Sequence, residues 1–148
     1  MIQKKLHAED ASYFKTSTSA PDTWIERASR QIEDRGGKVH GHGFGTGQDG
    51  QAAFMLAFEI EGQFFKVIWP VLPAWASKNE RAAKVQAATM LFHDIKAKCV
   101  SATVLGTRAA FFSYLVLPDG RTAAEVATPE LTSAIPNLFL VAPMELEP

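Results

Sequence analysis

His40 and His42 stand two residues apart in a glycine-rich part of the chain that is predicted to form a strand. Residues two apart on a strand share a face, and two imidazoles on one face can supply two ligands to a metal ion. No His, Cys or carboxylate nearby has recognisable ligand spacing. The sequence therefore favours an exposed segment with incidental histidines and predicts no bound metal or other cofactor.

The same segment offers a second chemistry through its glycines. A glycine-rich loop can wrap a phosphate with its backbone amides, but a dinucleotide site requires a strand, a glycine turn and a helix in that order. Here the glycines lead into another strand, which argues against a nucleotide site. A loop that lies along a nucleic-acid backbone stays open as an alternative. The glycines are Gly41, Gly43, Gly45, Gly47 and Gly50.

Glu59, Glu61 and Lys66 raise the question of a nuclease. Carboxylates on strands beside a lysine are typical of some metal-dependent nucleases. Glu61 falls in a predicted turn, however, and no upstream aspartate is clearly placed to complete the site. The sequence favours an exposed cross-strand pair of Glu59 and Lys66, and nuclease activity is kept as a third alternative.

The middle of the chain is basic. Residues 62–108 carry seven Lys and Arg against two acidic residues, a net charge of +5, whereas residues 1–61 carry −2 and residues 109–148 carry −4. This asymmetry predicts a basic surface for an anionic partner, the alternative being solvated faces that cancel in the fold. The residues expected to contact phosphates are Arg81, Lys84, Lys66, Lys96 and Lys98.

Arg81 and Lys84 fall beside the apolar stripe of a predicted long helix, in its first two turns. The amides at a helix N-terminus also favour anions. Trp75 precedes this helix, and a nucleic-acid base that reached it would stack on the indole. The equally weighted alternative is that both cations lay their stems over apolar surface.

Bulk composition describes an ordinary globular protein of 148 residues, 47% apolar and 21% charged. We predict a loose lead-in over residues 1–20, one domain over residues 21–136 and a tail over residues 137–148.

The single Cys99 excludes an internal disulfide framework and fits a reducing compartment. No apolar run approaches the roughly 20 residues that span a bilayer, and the N-terminus lacks the apolar core of a signal peptide, so a cytoplasmic protein without a membrane partner is expected.

Residues 53–70 predict a hairpin with a tight turn at Glu61 and Gly62. Because cross-strand partners share a face, this turn places the large apolar groups of both strands on one side. A helix from Pro21 to the glycines at 36 and 37 precedes it, followed by a weak edge strand over residues 39–44. The predicted cross-strand pairs are Ile60 with Gln63, Phe58 with Phe65, Leu56 with Val67 and Phe54 with Trp69.

A long helix is predicted to open at a capping box of Ser77 and Glu80 and to run to about Ala102. The connector before it, residues 70–76, is expected to cover Trp75. Residues 107–117 fit either a strand or a buried helix, and we favour a helix with Thr107 as its cap. A second capping box, Thr122 with Glu125, predicts a short helix.

The helix–three strands–helix order and the segment SKNERAAKVQAA are similar to double-stranded-RNA-binding domains, and the order alone also resembles the core of single-strand annealing proteins. A closer resemblance covers residues 23–136. It is carried by the glycine that ends the first helix, the hairpin, IKAK at residues 95–98 and VLPDGRT at residues 116–122. On these residues the chain resembles a family of uncharacterised phage and prophage proteins, which implies a context and no reaction.

The sequence therefore predicts an α+β domain with a helix, a three-stranded antiparallel sheet, a long helix packed on the sheet and short C-terminal helices. The expected function is a phage-type accessory protein that binds single- or double-stranded nucleic acid without catalysis, in recombination or replication. The alternative is a phage-encoded module that binds or inhibits a host or phage protein, through apolar residues 138–141 or an exposed hairpin edge.

Overall fold

The computed structural model describes residues 5–47 and 50–127. It confirms the α+β arrangement. Helix α1 spans Pro21–Asp34 and is followed by the strands β1 (Lys38–Thr46), β2 (Ala52–Ile60) and β3 (Gln63–Pro70). The long helix α2 spans Glu80–Leu105, and two single-turn helices follow, α3 (Thr107–Ala110) and α4 (Ala123–Val126). The predicted tail over residues 137–148 lies outside the described residues.

The sheet is antiparallel with the order β1-β2-β3. All four predicted pairs of the β2–β3 hairpin are confirmed. Glu61 and Gly62 both have positive φ, at 54° and 77°, which matches a two-residue hairpin turn whose twist suits the flanking strands. The alternating pattern of β2 and β3 therefore sends one set of large apolar side chains to the core.

Both long helices cover one face of the sheet. The inner positions of β2 and β3 pack against buried positions of α1 and α2, and Phe111 closes the core beyond α2. Helix α1 ends just before the glycines, as predicted, with Asp34 as its last residue, and Gly36 then has φ +86° and donates its amide to the carbonyl of Glu33. The buried helix residues that face the sheet are Ile25, Ala28, Ile32, Ala88, Leu91 and Ile95.

Two details of the predicted helix starts are wrong. Ser77 does not cap α2, because Ser77–Asn79 forms a 3-10 turn and no side chain caps the helix at Asn79. Thr107 is not a cap either, since Gly106 occupies that position with φ +87°. The second predicted capping box, Thr122 with Glu125, is confirmed. The Thr122 hydroxyl accepts from the amide of Glu125, and the Glu125 carboxylate accepts from the amide of Thr122.

Residues 107–117 combine the two structures that the sequence left open. The chain is helical over α3, forms a 3-10 turn at Phe112–Tyr114 and then bridges to β3 through Leu115 and Phe65. Within residues 5–47 and 50–127, no helix has both the length and the apolar character required to cross a bilayer.

Candidate nucleic-acid interface

The junction where the chain enters α2 carries three cations at spacings of three residues. Lys78 and Arg81 are exposed and Lys84 is half-buried. Residues three apart on helical backbone lie on neighbouring positions of one side, so these charges follow the first two turns. The sequence predicted this placement for Arg81 and Lys84 and missed Lys78.

Two further cations come from the lead-in. Lys15 lines a surface depression of about 450 Å³ together with Lys78 and Arg81. Lys5 and Lys84 line a neighbouring depression of about 510 Å³. The first turns of α2 contribute to both depressions and separate them. We call these five residues, Lys5, Lys15, Lys78, Arg81 and Lys84, the cationic cluster.

The described acidic residues form no ion pair with the cationic cluster. Among the described residues, none of its members forms a salt bridge, and the four salt bridges present lie elsewhere. Among residues 5–47 and 50–127, Glu80 is the one acidic residue that lines either depression. The Lys84 ammonium lies 4.1 Å from the centre of the Phe44 ring, a cation–π contact that leaves its charge available to a ligand.

A buried amide holds the lead-in against α2. Gln86 is 1% exposed, and its side-chain nitrogen donates to the carbonyls of Ala8 and Ser12, both at 2.9 Å. Buried polar groups require such partners, so this contact fixes the path of the backbone that carries Lys5 and Lys15. Residues 8–12 are thus anchored to the helix, whereas the sequence predicted a loose lead-in.

Glu9 occupies the position that the sequence assigned to an incoming anion. Its carboxylate accepts from the side chain of Asn79 at 2.8 Å and from the backbone amides of Trp75 and Ala76. The hydrogen bond from Asn79 is the main cause that lowers the pKa of Glu9 to about 2. The amides of Trp75 and Ala76, which precede α2, are therefore already occupied by Glu9.

Trp75 is exposed, which corrects the prediction that the connector covers it. Its side chain is 62% exposed and stacks on His7 with the ring centres 3.5 Å apart. The indole nitrogen donates to Asp10 at 3.1 Å. Trp75 lies at the same junction as the cationic cluster, so its large apolar surface borders the charged one.

The other three predicted phosphate contacts lie apart from this junction. Lys98 pairs with Asp94 at 3.2 Å, and Lys66 lies 4.0 Å from Glu125. Lys96 is exposed, but fifteen residues of helix, about 22 Å, separate it from Arg81. The structure therefore groups Arg81 and Lys84 with lead-in lysines and not with the later lysines of α2.

The predicted strand face shared by His40 and His42 does not form. The register between β1 and β2 shifts between Val39 and Gly41, so a bulge removes His40 from the regular alternation. His40 contacts Glu59 at 3.0 Å on one face of the sheet, and His42 lies beside α1 at its edge. No group of three His, Cys, Asp or Glu in the described parts of the chain is arranged to hold a metal ion.

The bulge also changes the partners of the carboxylates considered for a nuclease. Glu59 pairs with His40 and Lys66 approaches Glu125, so the predicted cross-strand pair of Glu59 and Lys66 is wrong. Glu61 lies in the hairpin turn, as predicted. These acids therefore do not converge with Lys66 on one site.

The sequence predicted a position for the basic residues of α2 but none for the lysines of the lead-in. Lys15 and Lys5 lie sixty or more positions before α2 and have no pattern of their own. The one available signal was Gln86, a long amide within the alanine-rich apolar part of α2, since such a residue requires a hydrogen-bonding partner.

No protein-family model, curated protein or solved structure shows a significant match to the chain.

Proposed function

We propose that the protein binds the phosphate backbone of nucleic acid through the cationic cluster, without catalysis. The observation that carries this proposal is the meeting of five cations from two distant chain segments, none of them in an ion pair with a described residue. Lysine and arginine side chains neutralise phosphates and release counterions, which yields affinity that falls with salt.

The expected selectivity follows from the type of contact. Phosphate contacts position a protein and carry no direct sequence information, so binding without sequence preference is expected. The exposed indole of Trp75 favours single strands, because unpaired bases can stack on an aromatic side chain. An accessory role in recombination or replication and a cytoplasmic site of action are parts of the same proposal, and the resemblance to phage and prophage proteins supplies only its context.

The test is fluorescence anisotropy with labelled 20-nucleotide single strands and duplexes of mixed sequence, at 50 and 200 mM NaCl. The double variant Arg81→Glu, Lys84→Glu should weaken binding at least tenfold, since it removes two phosphate contacts and adds two repulsive charges. The matched control Lys38→Glu, Lys96→Glu changes the net charge equally at two exposed lysines outside the cluster.

The control should bind nearly as tightly as the natural chain. Equal losses in both double variants would show that net charge alone sets the affinity, and the cationic cluster would not be the site. Absence of binding to every oligonucleotide at 50 mM NaCl would reject the proposal and favour the rival function, a phage-encoded module that binds or inhibits a protein. The apolar residues 138–141 assigned to that rival lie outside the described residues.

A further inference from the structure

One of the two depressions beside α2 is lined by polar side chains that can all donate hydrogen bonds, and we call it the Lys15 depression. Its volume is about 450 Å³, and Ala82 and Val85 supply its apolar part. No acidic residue among residues 5–47 and 50–127 lines it. Its polar members are Lys15, Ser17, Thr18, Lys78 and Arg81.

The hydroxyl of Ser17 is held so that it can only donate further. Its oxygen accepts from the indole nitrogen of Trp24 and from the backbone amide of Ser19, both at 3.1 Å. These two bonds use both lone pairs of the oxygen. Within the described parts of the chain, neither this hydroxyl nor that of Thr18 donates to an acceptor. Both hydroxyl hydrogens are therefore available to a ligand.

The backbone that carries Lys15 is positioned from both sides. The bond from Ser17 to Trp24 holds it on one side. On the other side, the ring of Tyr13 stacks on His93 with the ring centres 4.8 Å apart. A site whose backbone is already ordered loses less conformational entropy when a ligand binds. The Lys15 depression thus exists as a preorganised site.

The backbone at Lys15 is strained. Its φ is +55°, in the left-handed region that residues with a Cβ atom rarely adopt. Strained residues persist where the surrounding structure holds them, and they are concentrated at sites that bind ligands. The strain at Lys15 therefore supports a binding role for the residue.

A phosphate monoester matches this set of donors. At pH 7 it carries a charge of about −1.5 to −2 and three strong acceptor oxygens. A phosphate inside a nucleic-acid strand carries only one charge. Three cations and two hydroxyls line the Lys15 depression, a set that suits the higher charge and the three oxygens of a monoester.

We propose that the Lys15 depression binds the terminal phosphate monoester of a nucleic-acid strand, and that the strand continues over the first turns of α2 toward Lys5 and Lys84. This inference rests on the proposed function, because the internal phosphates of the strand use the same cationic cluster. It adds a preference for phosphorylated strand ends, which contacts with internal phosphates alone do not create.

The test compares three 20-nucleotide single strands of one sequence with an internal fluorescent label. They end in a 5′ phosphate, in a 3′ phosphate or in hydroxyls only. At 200 mM NaCl, we expect one phosphorylated end to lower the Kd at least tenfold relative to the hydroxyl-ended strand. Equal Kd values, with clear binding of the hydroxyl-ended strand at 50 mM NaCl, would overturn the end preference and leave the proposed function intact. Absence of binding by every strand at 50 mM NaCl would reject both.

Variants with a changed charge locate the terminal phosphate. Lys15→Ala should bring the ratio of the Kd values for hydroxyl-ended and phosphorylated strands close to one, because it removes one cation of the depression. The matched variant Lys84→Ala, in the second depression, should weaken both strands by a similar factor and keep the ratio. Equal falls of the ratio in both variants would overturn the proposal.

Two threonine variants test the depression without any change of charge. Thr18→Val should lower the same ratio at least threefold, since it removes a hydroxyl donor with little change in shape. Thr46→Val, at an exposed position of β1, is its control and should keep the ratio. An equal response of the two variants would overturn the proposal.

A nucleoside 5′-monophosphate separates a strand end from a free phosphate monoester. It should displace the phosphorylated strand only at a concentration at least a hundredfold above that of the strand, because it does not reach the second depression. Displacement at equal concentration would show that the free monoester is the ligand and would overturn the assignment to a strand end.

Discussion

The side-chain nitrogen of Gln86 lies 2.9 Å from the carbonyl oxygen of Ala8, a residue 78 positions earlier in the chain. The second donor bond of the same amide, to Ser12, makes the contact a clamp. It ties the lead-in to the long helix and so fixes where Lys5 and Lys15 lie relative to Arg81 and Lys84. A residue with no charge thus organises the charged surface.

Replacing Gln86 with alanine should destabilise the domain and release the lead-in. The change leaves the buried carbonyl of Ala8 and the part-buried carbonyl of Ser12 without their donor, which costs about 1–3 kcal/mol. Urea unfolding gives the stability, and protease cleavage within residues 5–20 reports the release. The control Lys96→Ala, at an exposed position of the same helix, should alter stability by less than about 0.5 kcal/mol. Equal effects of the two variants would contradict the clamp.

Glu9 should make the domain sensitive to acid. Its pKa is lowered from 4.5 to about 2 in the folded state, mainly by the hydrogen bond from Asn79. Stability contributed by a depressed carboxyl is full above pH 4.5 and fades as pH falls toward 2. The natural chain should therefore lose more stability between pH 4.5 and pH 2 than the Glu9→Gln variant does. The measurement is the fall in the thermal unfolding midpoint of each chain over this pH range. Asp119, whose pKa is lowered by its bonds with Arg121, titrates in both chains. Parallel acid profiles would count against the role of Glu9.

Alanine should have different effects on stability at Gly37 and at Gly41. A Cβ at Gly37 would lie 2.7 Å from Ile32 and 2.9 Å from the carbonyl oxygen of Glu59, so Gly37→Ala should cost about 1–3 kcal/mol through overpacking. Gly41→Ala meets open space and should be neutral or stabilising by up to about 1 kcal/mol. Chemical denaturation compares them, and a Gly37→Ala chain as stable as the natural one would show that the backbone at Gly37 does not lie so close to Ile32 and Glu59.

Tyr114 should stay protonated well into the alkaline range. Burial raises its pKa above 10, and the hydrogen bond that it donates to Asp94 adds to this. A raised pKa contributes stability below pH 10 that is lost as the pH rises further. The Tyr114 signal is the phenolate absorbance of the natural chain minus that of the Tyr114→Phe variant. This difference should stay near zero up to about pH 11 and rise only when the protein unfolds. A normal ionisation step near pH 10 in this difference would refute the burial of the phenol.

Local patterns in the sequence were sufficient to predict the fold wherever residues close in sequence are also close in space. The hairpin register follows from a two-residue turn and alternating residues, and the box of Thr122 with Glu125 closes within one turn. The Ser77 box has the same spacing and fails, because Ser77–Asn79 forms a 3-10 turn and α2 begins only at Glu80, so Ser77 does not stand at the cap position.

The candidate site was predictable only in part, for a related reason. Arg81 and Lys84 could be placed because the periodicity of α2 fixes their side of the helix. Lys15 joins them through the path of the lead-in, which depends on Gln86 and has no sequence period. The bulge at His40 adds one residue to β1, and no residue type in the sequence specifies where such an insertion falls.

The most direct test of the account is the salt dependence of binding to a 20-nucleotide strand. Each phosphate contact contributes about −0.7 to the slope of log K against log salt on single strands and about −0.9 on duplexes. The variant Arg81→Ala, Lys84→Ala should make the slope shallower by about 1.4 on single strands, with Lys38→Ala, Lys96→Ala unchanged. A slope identical in the natural chain and in the Arg81 and Lys84 variant would contradict binding through the cationic cluster.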